Sequence, residues 1–233
     1  RQRPVSGMNM ASNLDRAPLV AVTGASGFIG RHLVVALARA GWRTRLLLRR
    51  EPDAPQWRNL RPEVVAGSLG DGAALSRLVE GADAVIHMGG LIKAARQADF
   101  FRVNRDAAAA LAQAARQCAP AAHFISVSSL AAREPLLSDY AGSKRAGEIA
   151  VLDELGSRVT VLRPPAVYGP GDRETLLFFQ LARMRRVPLL GGSNARIAMN
   201  VPTNETGIAS AAMIVVRQLR RKNKTTMLAS RPP

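Results

Sequence analysis

Short apolar runs at residues 19–23, 45–48, 63–66, 84–87, 123–127 and 158–162 alternate along the chain with longer stretches in which apolar side chains recur at helical spacing, 28–40, 72–80, 100–117 and 139–155. Strands separated by helices pair in parallel, because the chain must cross back over the sheet before each new strand, and such a sheet is covered on both faces. The alternation predicts a doubly wound α/β fold with a parallel sheet. Gly41 stops the first helix and Pro120 closes the long alanine-rich one. Beyond Leu162 the texture changes to a proline- and glycine-rich loop over 163–172, a helix over 175–186 and a second loop over 188–194. A small, truncated substrate-binding appendage is expected to begin there.

Composition narrows the class. With 47% apolar residues in 233, the chain can bury one sizeable core. Its apolar runs are strand-sized, far short of the ~20 residues that cross a bilayer, so no membrane span is expected. The polar run 1–16 lacks the apolar segment of a secretory signal and reads as a disordered leader, with Met8 or Met10 as candidate native starts. The lone Cys118 lies in a helical pattern and reads as a small buried side chain, which excludes a disulfide framework and points to the cytoplasm. The net charge of +16 raises nucleic-acid binding as a class. Neither zinc-finger spacing nor an aromatic RNA-binding signature accompanies it, so the excess reads as a solvated arginine-rich surface and no nucleic-acid partner is expected.

The first apolar run leads into Thr23-Gly24-Ala25-Ser26-Gly27-Phe28-Ile29-Gly30, and helical periodicity begins at once. Glycines at 24, 27 and 30 serve a tight turn, close approach of backbone to a pyrophosphate, and close packing of helix on strand. The helix start offers free N–H groups to the anion. With strand before and helix after, the segment predicts dinucleotide binding through Gly24, Ser26, Gly27, Phe28, Ile29 and Gly30. The second strand ends Leu48-Arg49-Arg50-Glu51. Arg49 and Arg50, with Arg31 in support, favour the 2′-phosphate of NADP, while Glu51 keeps NAD open.

Tyr140 and Lys144 stand four residues apart at a helix start, hence on one face. A neighbouring ammonium favours the phenolate of a tyrosine and suits it to acid/base work, and the same lysine can hold a ribose. Ser126-Val127-Ser128-Ser129 follows the fifth strand, where carboxyl ends of parallel strands line a ligand crevice. A hydroxyl there can orient a reacting oxygen toward Tyr140. Ser129, Tyr140 and Lys144 are the candidate catalytic residues.

Taken in order, these segments resemble the extended or atypical short-chain dehydrogenases/reductases, the NAD-dependent epimerase/dehydratase family. Further matching segments are 67–71, His87-Met88-Gly89-Gly90, Asn104 and Arg163-Pro-Pro-Ala-Val-Tyr-Gly-Pro-Gly171. The resemblance implies a Rossmann fold, a hydride transfer at a secondary alcohol or ketone, and roles for several residues. Ser68 and Leu69 would lie near the adenine; His87, Gly89, Gly90 and Asn104 would lie along the cofactor. Ser129 would be the catalytic serine, Tyr140 the acid/base, Lys144 the ribose ligand, and Pro164 would sit beside the nicotinamide. His87 is then a strand-end residue, and no metal site is expected. The implied organisation is a leader over 1–17, a NAD(P)-binding domain over 18–172 and a partial substrate-binding region over 173–233. Homodimerisation through the helices at 100–117 and 139–155 is likewise implied.

Two departures bear on function. Tyr140 follows Ser129 by only eleven positions, shorter than in typical nucleotide-sugar epimerases, leaving small ketones, sterol-like or isoprenoid-linked alcohols and short sugars as substrates alongside sugar nucleotides. After Arg196 the sequence leaves the family pattern, as if frameshifted, truncated or rebuilt, although residues 206–221 fit a basic amphipathic helix. The leading reading is an oxidoreductase or epimerase acting on a small molecule. The alternative is a NAD(P)-binding sensor or complex-stabilising module.

Overall fold

The computed structural model describes residues 17–50, 54–169, 171, 172, 174, 176 and 180, and the backbone of 199–200. Strands β1 (Leu19–Thr23), β2 (Arg43–Leu48), β3 (Glu63–Ala66), β4 (Ala84–His87), β5 (His123–Val127) and β6 (Val159–Leu162) form one parallel sheet in the order β3-β2-β1-β4-β5-β6. Helices α1 (Phe28–Arg39), α2 (Gly72–Val79), α3 (Gln97–Phe101), α4 (Ala107–Cys118) and α5 (Asp139–Leu155) make the crossovers. Strand order reverses between β1 and β4, so a crevice opens at their carboxyl ends. A short parallel pair, β7 (Ala166–Val167) with β8 (Met199–Asn200), follows.

The period of two along each strand sorts the core into two layers. Val20, Val22, Leu46, Leu48, Ile86, Ile125 and Val127 face α1, meeting Leu33, Val34 and Leu37 together with Trp42 and Trp57. Ala21, Leu47, Val85 and Phe124 point the other way, against Leu75 and Leu78 of α2, Leu111 and Ala115 of α4, and Val151 and Leu155 of α5. Burial on both faces explains why β1 reads as an unbroken apolar run.

Differences from the expected boundaries have local causes. β2 starts at Arg43 rather than residue 45, because its ladder with β1 opens at Leu19–Arg43, and Arg43 and Arg45 both hold the Glu63 carboxylate of β3, at 2.5 and 2.8 Å. Arg45 also donates to the Leu78 and Glu80 carbonyls at the end of α2. The charged side chains on this edge hide the strand from an apolar pattern. β6 begins one residue later than expected, after a 3₁₀ turn at Gly156–Arg158. The helix expected over 100–117 is interrupted by a π-helical turn, Arg102–Asp106. The leader at 1–16, Glu51, the appendage helices expected over 175–186 (apart from the helical Leu176 and Gln180) and 206–221, and the rest of the atypical tail beyond β8 lie outside the described residues. Among the described residues no helix is long and apolar enough to cross a membrane.

Candidate active site

The glycine segment forms the floor of the crevice. Gly24 turns the chain at φ +73°, and Gly27 N–H donates to the Gly24 carbonyl at 3.1 Å. A Cβ on Gly24 would lie 2.6 Å from the Met88 carbonyl carbon and 2.7 Å from the Gly89 nitrogen, and one on Gly30 would overlap the Gly24 carbonyl oxygen. Arg31 Nε holds the loop by donating to the Ser26 carbonyl at 2.9 Å. α1 starts with no side-chain cap and no acid in its first turn, whereas α2 is capped by Asp71 and α5 by Ser138. An uncapped, acid-free helix start behind a backbone-lined turn is what a pyrophosphate requires, so the residues present fit a dinucleotide.

The switch point is sealed by a buried polar relay. Thr23 and His87 are register partners at the ends of β1 and β4. Thr23 Oγ1 lies 2.7 Å from His87 Nδ1 and accepts from Gly89 N–H at 3.3 Å. The assignment that satisfies all three groups has the threonine donating to a neutral imidazole. Burial, with the Lys144 charge as a second cause, pushes the His87 pKa down to about 3. An unfolded imidazole takes its proton near 6.5 and the folded one only near 3, so the unfolded chain binds more protons in that window. Folding stability contributed by His87 therefore falls as pH drops from 6.5 toward 3. In urea unfolding across this range, His87→Gln is expected to have a shallower loss than the parent chain; identical slopes would remove His87 as the cause.

Ser68 and Leu69 follow β3, and Leu69 Cδ1 stands 2.9 Å from where a Gly89 Cβ would project, so this segment borders the crevice. Arg49 and Arg50 are exposed at the end of β2. The polar atoms of Asn104, on the π turn, are engaged: Oδ1 accepts from Leu91 N–H at 2.8 Å, and Nδ2 donates to the Leu91 carbonyl and Ser143 Oγ at 2.9 and 3.0 Å. Asn104 thus fixes the loop after Gly90 to α5. The Gly147 position of α5 rests directly on the Asn104 carbonyl, leaving no room there for a Cβ.

Two of the catalytic candidates, Lys144 and Ser129, lie at the end of β5. Lys144 Nζ donates to the Val127 carbonyl at 3.0 Å and lies near Gly90, 3.8 Å from a Cβ projected there. Burial lowers its pKa to about 8, against an opposing pull from the Glu148 charge. Ser129, two residues past Val127, caps a 3₁₀ turn by accepting from Ala131 N–H at 3.2 Å. Tyr140 is half-buried, its ring centroid 6.2 Å from that of Phe100. The Pro164 carbonyl accepts from Leu130 N–H at 2.8 Å, bringing the segment after β6 beside Ser129. Sequence reasoning left out Glu148, whose local signal is its position four residues after Lys144, and took Thr23 and Arg163 only as members of the matching segments. Among the described residues no group of three His, Cys, Asp or Glu side chains is placed to hold a metal.

Fold, crevice and motif order together define a Rossmann-type dinucleotide-binding scaffold, and the chain belongs to the NAD dependent epimerase/dehydratase family, whose model matches residues 20–196. A curated relative, the "Ceramide reductase" of Caulobacter vibrioides, is 56% identical over 185 residues, covering 79% of this chain and 57% of that protein. The chain thus spans rather more than half the length of this relative. A solved short-chain dehydrogenase/reductase superfamily protein of Agrobacterium tumefaciens with bound NAD is 27% identical, with a TM-score of 0.56 over 64% of this chain and 50% of the other. MoeE5 in complex with UDP-glucuronic acid and NAD shares the fold, with a TM-score of 0.68 and 24% identity over 84% of this chain and 71% of the other.

Proposed function

We propose that this chain carries the cofactor site and catalytic group of an NAD(P)-dependent reductase that interconverts a ketone and a secondary alcohol on a ceramide-class lipid. The observation that carries the reading is the Lys144 ammonium held on the Val127 carbonyl at the mouth of the switch point, with Tyr140 one turn earlier on the same helix. The similarity to a protein named ceramide reductase supports the substrate class. The short interval between Ser129 and Tyr140 suits a substrate other than a sugar nucleotide.

Bound nicotinamide supplies the hydride in reduction and accepts it in oxidation. The turn Gly24 to Gly30, including Ser26, Gly27, Phe28 and Ile29, would hold the pyrophosphate; Ser68 and Leu69 would border the adenine end; Gly89 and Gly90 would lie along the ribose and pyrophosphate, and Pro164 beside the nicotinamide. Arg49 and Arg50 favour the 2′-phosphate of NADP over the bare ribose of NAD. Tyr140 gives its hydroxyl proton to the ketone oxygen, or takes one from the alcohol in reverse. Ser129 hydrogen-bonds the same oxygen and orients it. Lys144 holds the ribose and keeps a positive charge beside the phenol.

The test is consumption of NADPH and of NADH with a ketone analogue of ceramide, small ketones and UDP-sugars as alternative substrates, alongside Kd for both cofactors. Turnover with the lipid ketone and tighter binding of NADPH are expected. Tighter NADH binding would overturn the cofactor preference. Binding of cofactor with no turnover on any substrate would instead support the NAD(P)-binding module.

A further inference from the structure

Glu148 is the one ionisable carboxylate that is fully buried among the described residues, with 1% of its side chain exposed, and the reaction above does not use it. It lies one helical turn beyond Lys144 on α5. Arg163 embraces it with two bonds, Nε to Oε1 at 2.8 Å and Nη2 to Oε2 at 2.6 Å, and Arg145 adds a third at 3.1 Å. A buried ion pair contributes little net stability, because desolvation offsets its attraction, so its presence calls for another reason. Its place in the fold offers one. Arg163 immediately precedes Pro164, and this segment is already tied to the end of β5 by Ser128 N–H to the Leu162 carbonyl at 2.7 Å and Leu130 N–H to the Pro164 carbonyl at 2.8 Å. The buried Ser128 hydroxyl, at the end of β5, adds to the pull that favours the charged Glu148 carboxylate. Three walls of the crevice, from α5, β5 and β6, therefore meet at one carboxylate.

We propose that Glu148 is a positioning residue for hydride transfer: its carboxylate locks Arg163, and with it Pro164, against α5, and provides the counter-charge of the Lys144 ammonium. The proposal rests on the reading of Tyr140 and Lys144 as the acid/base pair. Burial opposes the charge on Glu148, but the bonds from Arg163 and Arg145 outweigh it and hold the carboxyl below the usual carboxylate range, so the counter-charge is present throughout neutral pH. Other charged or titratable groups near Lys144 are Tyr140 and Arg145 on α5, the neutral His87 of β4 and Arg163 after β6. None of these is a carboxylate, so Glu148 supplies the negative charge nearest Lys144 along α5.

The chain has four lysines, Lys93, Lys144, Lys222 and Lys224, so NMR titration of isotopically labelled lysine side chains resolves Lys144, assigned by its loss in Lys144→Arg. This measurement is independent of turnover, and so separates failure of this proposal from failure of the reductase reading. In Glu148→Gln, Lys144 is expected to titrate about one pH unit lower than in the parent chain, and the high-pH limb of turnover moves with it. In Arg163→Met, which keeps the carboxylate, Lys144 titrates at or above its parent value while Kd for NADPH weakens by about three- to tenfold, as Pro164 loses its anchor to α5 at a cost comparable to one ordinary hydrogen bond. A merely structural ion pair would lower the unfolding midpoint in both variants and leave the Lys144 titration where it was, and that result overturns the proposal. Should Glu148→Gln not fold, Arg163→Met decides alone: a lowered Lys144 titration or an unchanged Kd refutes the proposal.

Discussion

Replacing Tyr140 with Phe lowers turnover by ~10²–10⁴-fold, the usual contribution of a positioned acid/base, while Kd for NADPH and NADH stays at its parent value. The exchange removes one hydroxyl and keeps the ring that packs beside Phe100. Stability should therefore change little, so a lost rate cannot be ascribed to unfolding. Single-turnover measurements at saturating cofactor separate the chemical step from binding. A fall in rate of less than about tenfold would mean that another group, or water, delivers the proton.

Gly24→Ala is the second large effect, and Gly41→Ala is its internal control. Both glycines have positive φ, +73° and +76°. An added Cβ at Gly41 meets nothing within 4 Å, so only left-handed strain is incurred, roughly 1–2 kcal/mol. At Gly24 the same strain is joined by overlap with the Met88 and Gly89 backbone, which cannot rotate away as a side chain would. Overpacking of this kind adds about 1–3 kcal/mol. Urea unfolding should place Gly24→Ala well below Gly41→Ala. Cofactor that raises the unfolding midpoint of the parent and of Gly41→Ala by mass action should leave Gly24→Ala unmoved. Equal midpoint gains in all three would show that the turn does not form the dinucleotide cradle.

What the sequence discloses and what it withholds follow from the range of the interactions. β1, β3, β4, β5 and α5 are readable because their signals are local: apolar runs bounded by turns, and apolar positions at helical spacing over 139–155. The glycine turn is readable for the same reason, since its requirement is conformational and lies within eight residues. The π turn at Arg102–Asp106 is not, because it accompanies the seating of Gly147 on the Asn104 carbonyl, a contact between residues far apart in the chain. Asn104 illustrates the limit. Its position in the motif suggests a residue facing the cofactor, but its amide is spent on Leu91 and Ser143. Thr23 and Arg163 stand in the motifs, but what each bonds is hidden for the same reason, since the partner, His87 or Glu148, lies on another element.

The double tie between Asn104 and Leu91, with α5 clamped beneath it, gives the molecule one rigid jaw. Residues 134–138 stand outside that tie: Leu137 N–H donates to the Glu134 carbonyl, and Leu136 and Leu137 are exposed, at 98% and 80%. A substitution at Leu136 or Leu137 therefore removes little packing, whereas losing the Asn104 amide strands the Leu91 N–H and carbonyl without their partner.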